Sequence, residues 1–163
     1  MITDYTKRKR KLEVQKEIYS NITRKTFVGL CGPNAIAYLE KINYKRFKKV
    51  ILYENDPKVF SKVIKDLGNK YPNVKLVFDS INKHLGRTKA FYDLDYCKSF
   101  EDIRAFIPKI ARIEDFSMTV SLRPYGFPFS IFTSYLGHSN YKHFTYRDGN
   151  PMITILVNKN ITR

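Results

Sequence analysis

Four short apolar runs each end in residues able to handle a polar ligand: Thr26 to Asn34 in a glycine-containing turn, Val50 to Pro57 in Glu54, Val74 to Asp79 in a carboxylate, and Ala90 to Cys97 in Asp93 and Asp95. Carboxylates accept hydrogen bonds and donate none, so each suits a ligand rich in hydroxyl or amino groups. A glycine lacks the Cβ that would keep a ligand away from the backbone. In an open α/β sheet, ligands collect outside the carboxyl ends of the strands, where these polar ends would converge on one crevice. The chemistry implied is the holding of a nucleotide-type cofactor.

The elements that must position these residues follow from periodicity. Residues 7–22 read as a basic helix with Leu12, Tyr19 and Ile22 near one face. Residues 26–31 read as a buried strand, 33–42 as a helix with proline in its first turn, and 49–54 as a second strand, which together make a βαβ unit. A helix over 58–67, with Val59, Val63, Ile64 and Leu67 on its apolar side, stops at Gly68. Strands follow at 74–78 and 90–94, then a helical stretch over 100–110 interrupted by Pro108, a strand at 117–122 and a helix over 129–136. The Asp-Gly turn within 147–150, between two β-prone runs, predicts a terminal antiparallel hairpin.

From Thr26 to Val157 this pattern resembles the class I S-adenosylmethionine-dependent methyltransferases, as a small, divergent member. The resemblance implies a Rossmann-like α/β fold: a mainly parallel seven-stranded sheet, helices on both faces and a C-terminal antiparallel hairpin. It also implies S-adenosylmethionine as cofactor. Gly29, Cys31, Gly32, Pro33 and Asn34 look like the family's glycine-rich first motif, although Phe27 stands where an acidic residue is common and two glycines are present. Glu54 corresponds to the carboxylate that accepts hydrogen bonds from the ribose hydroxyls, with Asn55 and Asp56 read as turn residues. Asp79 corresponds to the residue at the adenine amino group, with Ser80 and Ile81 beside the ring; an ordinary turn cap is the equal alternative.

Asp93, Asp95 and Tyr96 fall at the fourth motif, next to the transferred methyl, and are the candidate catalytic residues; Asp93 also counts among the cofactor contacts. Two carboxylates so close together need solvent, a cation or a ligand to relieve their repulsion. The first and last positions of Asp93 to Tyr96 match the Asp-Pro-Pro-Tyr signature of amino-group methyltransferases acting on nucleic-acid bases, without its prolines. Cys97 is read as a packing residue rather than a nucleophile.

Charge points to the substrate. The 163 residues carry 30 Lys and Arg against 15 Asp and Glu, a formal charge of +15, and favour a polyanionic partner such as DNA or RNA. Lys7, Arg8, Lys9, Arg10 and Lys11, with Arg123 after the fifth strand, are the candidate nucleic-acid contacts; a solvated, frayed arm and an unpartnered strand-end arginine are the bland readings. The expected organisation is a basic arm over 1–25 and a methyltransferase-like domain over 26–163. This length leaves no room for a target-recognition domain, so specificity is expected from a partner, from dimerisation or from substrate shape.

No apolar run reaches the roughly 20 residues of a membrane span. No secretion signal is legible, and the two cysteines and three histidines have no metal-ligand spacing. A soluble, cytoplasmic protein without a metal is the expectation. Two other functions stay open: a protein of the same fold that binds nucleic acid without catalysis, and a nicotinamide-dependent enzyme. The latter lacks the third glycine of its fingerprint.

Overall fold

The computed structural model describes residues 5–137 and 141–158, with side chains absent from that description for residues 5–8 and 148. The chain gathers into two compact units, one of residues 23–93 and one of residues 1–22 with 94–163. Its strands form one seven-stranded sheet in the order β3-β2-β1-β4-β5-β7-β6.

The unit of residues 23–93 is built from β1 (Thr26–Leu30), α2 (Ala35–Lys41), β2 (Lys49–Glu54), α3 (Pro57–Leu67), β3 (Val74–Phe78) and the start of β4 (Phe91–Ser99). The β1–β2, β2–β3 and β1–β4 ladders are all parallel. Parallel neighbours need crossovers, and α2 and α3 supply them. Phe27, Leu39, Val50, Leu52 and Val63 are fully excluded from solvent, each such side chain contributing about 1.5–3 kcal/mol of transfer free energy. The Phe27 ring lies 5.2 Å from Phe47 and 6.1 Å from Phe91.

Local chemistry fixes α3 at both ends. Asp56 accepts from the backbone N–H groups of Lys58 at 2.8 Å and Val59 at 3.1 Å, which makes it an N-cap, and Gly68 leaves the helix at φ +50°. Val63 and Leu67 turn inward at i, i+4 spacing. Ile64, expected on that face, is half exposed at 50%. It lies one position beyond Val63, about 100° further round the helix.

The second unit holds α1 (Tyr5–Ser20), the rest of β4, two short helices α4 (Phe100–Ile103) and α5 (Ile107–Ile110), β5 (Asp115–Ser121), α6 (Phe129–Leu136), β6 (Tyr141–Asp148) and β7 (Asn150–Asn158). The expected helix over 100–110 is split by the 3-10 turn Arg104–Phe106, with proline in the first turn of α5. Pro108 has no N–H to continue a helix from before it. β7 pairs antiparallel with both β5 and β6, and Gly149 turns the expected hairpin at φ +74°.

Two expectations change here. The inward stripe of α1 is Val14, Ile18 and Tyr19, while Leu12 is 55% exposed. Leu12 sits two residues, about 200°, from Val14 and so falls on the opposite side. The fourth strand does not stop at residue 94 but runs to Ser99, whose hydroxyl caps α4 in a reciprocal box with Asp102. The carboxylates expected at a strand end therefore lie within a strand.

Candidate functional site

Glu54 closes β2, and its carboxylate gathers three backbone N–H donors. Gly32 reaches Oε2 at 3.2 Å, and Asn55 and Asp56 reach Oε1 at 2.9 and 2.8 Å. The donation from Gly32 ties the turn after β1 to the end of β2. Gly32 itself sits at φ +72°, and a Cβ there would meet nothing within 4 Å. Glycine is needed at this position for conformation, and the space beside it is open.

The rest of that turn is held from several directions. Cys31 is buried, its N–H donates to the Tyr53 carbonyl at 3.0 Å, and its thiol donates to the Gly32 carbonyl at 3.3 Å. Burial first, and the Glu54 charge second, push the thiol up to about 12, so it stays protonated. The Pro33 carbonyl accepts from Lys62 Nζ at 3.0 Å, and Lys62 also pairs with Asp66 at 2.6 Å. The second helix starts at Ala35 rather than Pro33; Asn34 is its N-cap and makes no side-chain cap bond.

Gly29 also makes room for a side chain within the fold. Its backbone is not left-handed, and a Cβ there would stand 2.5 Å from the Tyr38 hydroxyl. The vacant volume is occupied by Tyr38 of α2, which donates to Asp93 Oδ2 at 2.6 Å. Gly29 and Asp93 are direct partners in the β1–β4 ladder, which brings the pair within reach of one ring. Asp93 is buried at 7% exposure.

At the end of β3, Asp79 is surrounded by cationic or polar groups of the following turn. Lys83 Nζ lies 2.8 Å from Oδ1, His84 Nε2 lies 3.0 Å from Oδ2, and the Ser80 N–H donates to Oδ1 at 2.8 Å. The Lys83 hydrogen bond, then those of His84 and Ser80, hold this carboxyl well below the usual carboxylate range. The Ser80 hydroxyl caps the 3-10 turn Ile81–Lys83 by accepting from Asn82. Ile81 is in the core at 2% exposure. The His84 ring stacks on Tyr53 with centroids 4.8 Å apart.

In the other unit, Asp95 is half-buried and accepts from the exposed Cys97 thiol at 3.0 Å, where Cys97 itself adopts φ +50°. Tyr96 is also half-buried, and burial raises its hydroxyl well above the ordinary tyrosine range, which keeps it a neutral donor. Arg123 is exposed and donates its backbone N–H to Ser121 Oγ at 3.2 Å. Lys9 and Arg10 are exposed on α1, Arg10 pairing with Glu13 at 3.5 Å, and Lys11 is half-buried. The side chains of Lys7 and Arg8 lie outside the described residues.

Among the described residues no group of three or more His, Cys, Asp or Glu side chains could hold a metal ion, and no helix is long and apolar enough to cross a membrane. Sequence reasoning missed Tyr38, Lys62, Lys83 and His84. Lys62 and Lys83 stand four residues from Asp66 and Asp79, a spacing that signals an ion pair. Nothing local marks Tyr38, because its partner is 55 residues away.

A doubly wound sheet with an antiparallel C-terminal trio, and polar residues gathered at the ends of its first strands, is the Rossmann-like class I methyltransferase fold. No protein-family model matches the chain, and no curated protein matches its sequence. Solved structures do. The 23S rRNA methyltransferase ErmE superposes with a TM-score of 0.67 at 14% identity, over 91% of this chain and 68% of that one. TrmK from M. capricolum, in complex with S-adenosyl-homocysteine, gives 0.65 at 10% identity over 90% and 68%. The N-methyltransferase NodS from Bradyrhizobium japonicum gives 0.65 at 10% identity over 96% and 99%. At these identities the likeness establishes the fold.

Proposed function

We propose that this protein is an S-adenosylmethionine-dependent methyltransferase acting on nucleic acid. The observation that carries the cofactor assignment is Glu54, a carboxylate at the end of β2 joined to the left-handed Gly32 turn at 3.2 Å. The residues present suit the group: an acceptor-only carboxylate for ribose hydroxyls and open space at Gly32 for a close approach to the backbone. Support for the class comes from neighbours that include an rRNA methyltransferase and a complex with the demethylated cofactor. Support for the substrate comes from the +15 charge.

In this reading Glu54 and Asp79 hold the nucleoside, with Ser80 and Ile81 at its base, and Gly29, Cys31, Gly32, Pro33 and Asn34 form the turn against the cofactor. S-adenosylmethionine, when bound, supplies the methyl group and a thioether leaving group. The protein contributes alignment: Asp93, Asp95 and Tyr96 orient the acceptor, Tyr96 as a neutral hydrogen-bond donor. Lys7 to Lys11 and Arg123 engage phosphates, residues 1–25 serving as the basic extension of the domain over 26–163.

The test is calorimetric titration of the full chain with S-adenosylmethionine and S-adenosylhomocysteine, followed by transfer of tritiated methyl to DNA and RNA. Binding of both and labelling of nucleic acid are expected. A folded protein that binds neither sinks the assignment; binding without transfer to any nucleic acid leaves a non-catalytic protein of the same fold. That second reading has an observation in its favour, since Asp79 already holds Lys83 and His84.

A further inference from the structure

We infer that Tyr38 is a positioning residue for the reacting end, its hydroxyl lodged in the space Gly29 leaves and orienting the Asp93 carboxylate. The inference rests on the methyltransferase reading, in which Asp93 meets the transferred group. Four observations converge on it. The separation between Tyr38 Oη and Asp93 Oδ2 is 2.6 Å, in the range of a charge-assisted O–H···O⁻ bond. Tyr38 is anchored by its ring, which meets Phe27 edge-on with centroids 6.1 Å apart, and Phe27 is completely buried.

The third observation is Gly29. Its backbone asks for no glycine, yet a Cβ would stand 2.5 Å from the Tyr38 hydroxyl and 3.0 Å from Phe27 Cε1, so any other residue would displace the hydroxyl or the strand. The fourth is register: Gly29 pairs with Asp93 across the parallel ladder, so the space and the carboxylate it serves are neighbours by construction. A glycine in the first motif thus acts on the fourth motif through a tyrosine on the intervening helix. The Tyr38 hydrogen bond helps fix which way the buried Asp93 carboxylate presents its oxygens, and a misplacement of about 1 Å at a reacting centre can lower turnover by about a hundredfold.

Tyr38→Phe keeps the ring and removes the donor. Its turnover should fall at least about tenfold with little change in KM for the cofactor. In an Asp93→Asn background the same substitution should have no further effect on turnover, and in the ligand-free protein the two changes should be non-additive in urea unfolding. Gly29→Ala should lower the thermal midpoint, and adding Tyr38→Phe should restore part of it by removing the closest of the contacts the new methyl meets. Wild-type turnover in folded Tyr38→Phe, or effects of Tyr38→Phe and Asp93→Asn that simply multiply, overturns the positioning role while leaving the methyltransferase reading intact. If the wild-type chain binds neither S-adenosylmethionine nor S-adenosylhomocysteine, the catalytic reading falls and this role falls with it.

Discussion

Glu54 ends β2 and Asp79 directly follows the neighbouring parallel β3, yet the chain holds the two carboxylates in opposite ways. Glu54 is held by three backbone N–H groups. Asp79 is held mainly by two side chains, Lys83 and His84. Backbone donors cost no side-chain entropy, bring no net charge and cannot swing away, so the Glu54 carboxylate is held in a fixed orientation. A lysine that is 69% exposed can move off and is screened by salt. Under the proposed function, a neutral ribose hydroxyl at Glu54 would need only to share the carboxylate, whereas an adenine amino group at Asp79 would have to compete with the Lys83 ammonium. Under the proposed cofactor assignment, this contrast favours Glu54 over Asp79 as a ligand.

The widest separation should come from the thiol beside Glu54. With Cys31 at about 12, its thiolate fraction at pH 8 is about one in ten thousand, against about one in four for an ordinary thiol. Iodoacetamide at that pH should therefore modify the exposed Cys97 and leave Cys31 untouched, as read by peptide mass mapping. Glu54→Gln should lower the Cys31 value, because one of the two causes of its rise is removed. Equal labelling of both thiols in the folded protein would contradict the buried, anion-facing turn.

Glu54→Ala should come next, since it removes the acceptor of three backbone donors at once. A destabilisation of about 2–3 kcal/mol in urea unfolding is expected from the loss of charge-assisted bonds, together with at least about a tenfold loss of S-adenosylmethionine affinity. Unchanged affinity in the folded variant would remove Glu54 from the cofactor site. Gly32→Ala should cost less, about 1–2 kcal/mol, because its φ of +72° is strained for alanine while the surrounding space is open. A larger loss would mean that the turn, rather than the carboxylate, organises this corner.

How much of this was legible depended on the range of the interaction. β2, β3 and α6 have the boundaries their patterns predict, and Asp56 and Gly68 bound α3 as local signals say they should. Glu54 could be placed because strand-end carboxylates are a local pattern. Its three donors could not, since the one from Gly32 crosses 22 residues. The packing role of Gly29 was hidden for the same reason: a sequence shows that a Cβ is missing but not which distant side chain fills the gap. The full length of β4 was hidden because Asp93, Asp95, Tyr96 and Cys97 look like the polar end of a strand, whereas the strand runs on to Ser99.

The smallest effect should belong to Asp79, and its pH dependence has a definite sign. Its folded-state value is depressed, first by the Lys83 hydrogen bond and then by those of His84 and Ser80. A depressed carboxyl contributes stability that is fully present above the unfolded value of about 3.9 and is lost as pH falls toward the folded value. Asp79→Asn should therefore lower the thermal midpoint modestly at pH 7, and the gap from wild type should close as pH falls from about 4 toward 2. Raising salt at pH 7 should narrow the same gap, because Lys83 is largely exposed. The corresponding gap for Glu54→Gln should respond less to salt, its partners being uncharged backbone groups. If the two variants respond identically to salt, the distinction between a backbone-held and a cation-held carboxylate fails; if Asp79→Asn alone also abolishes cofactor binding, Asp79 is a ligand that exchanges Lys83 for adenine.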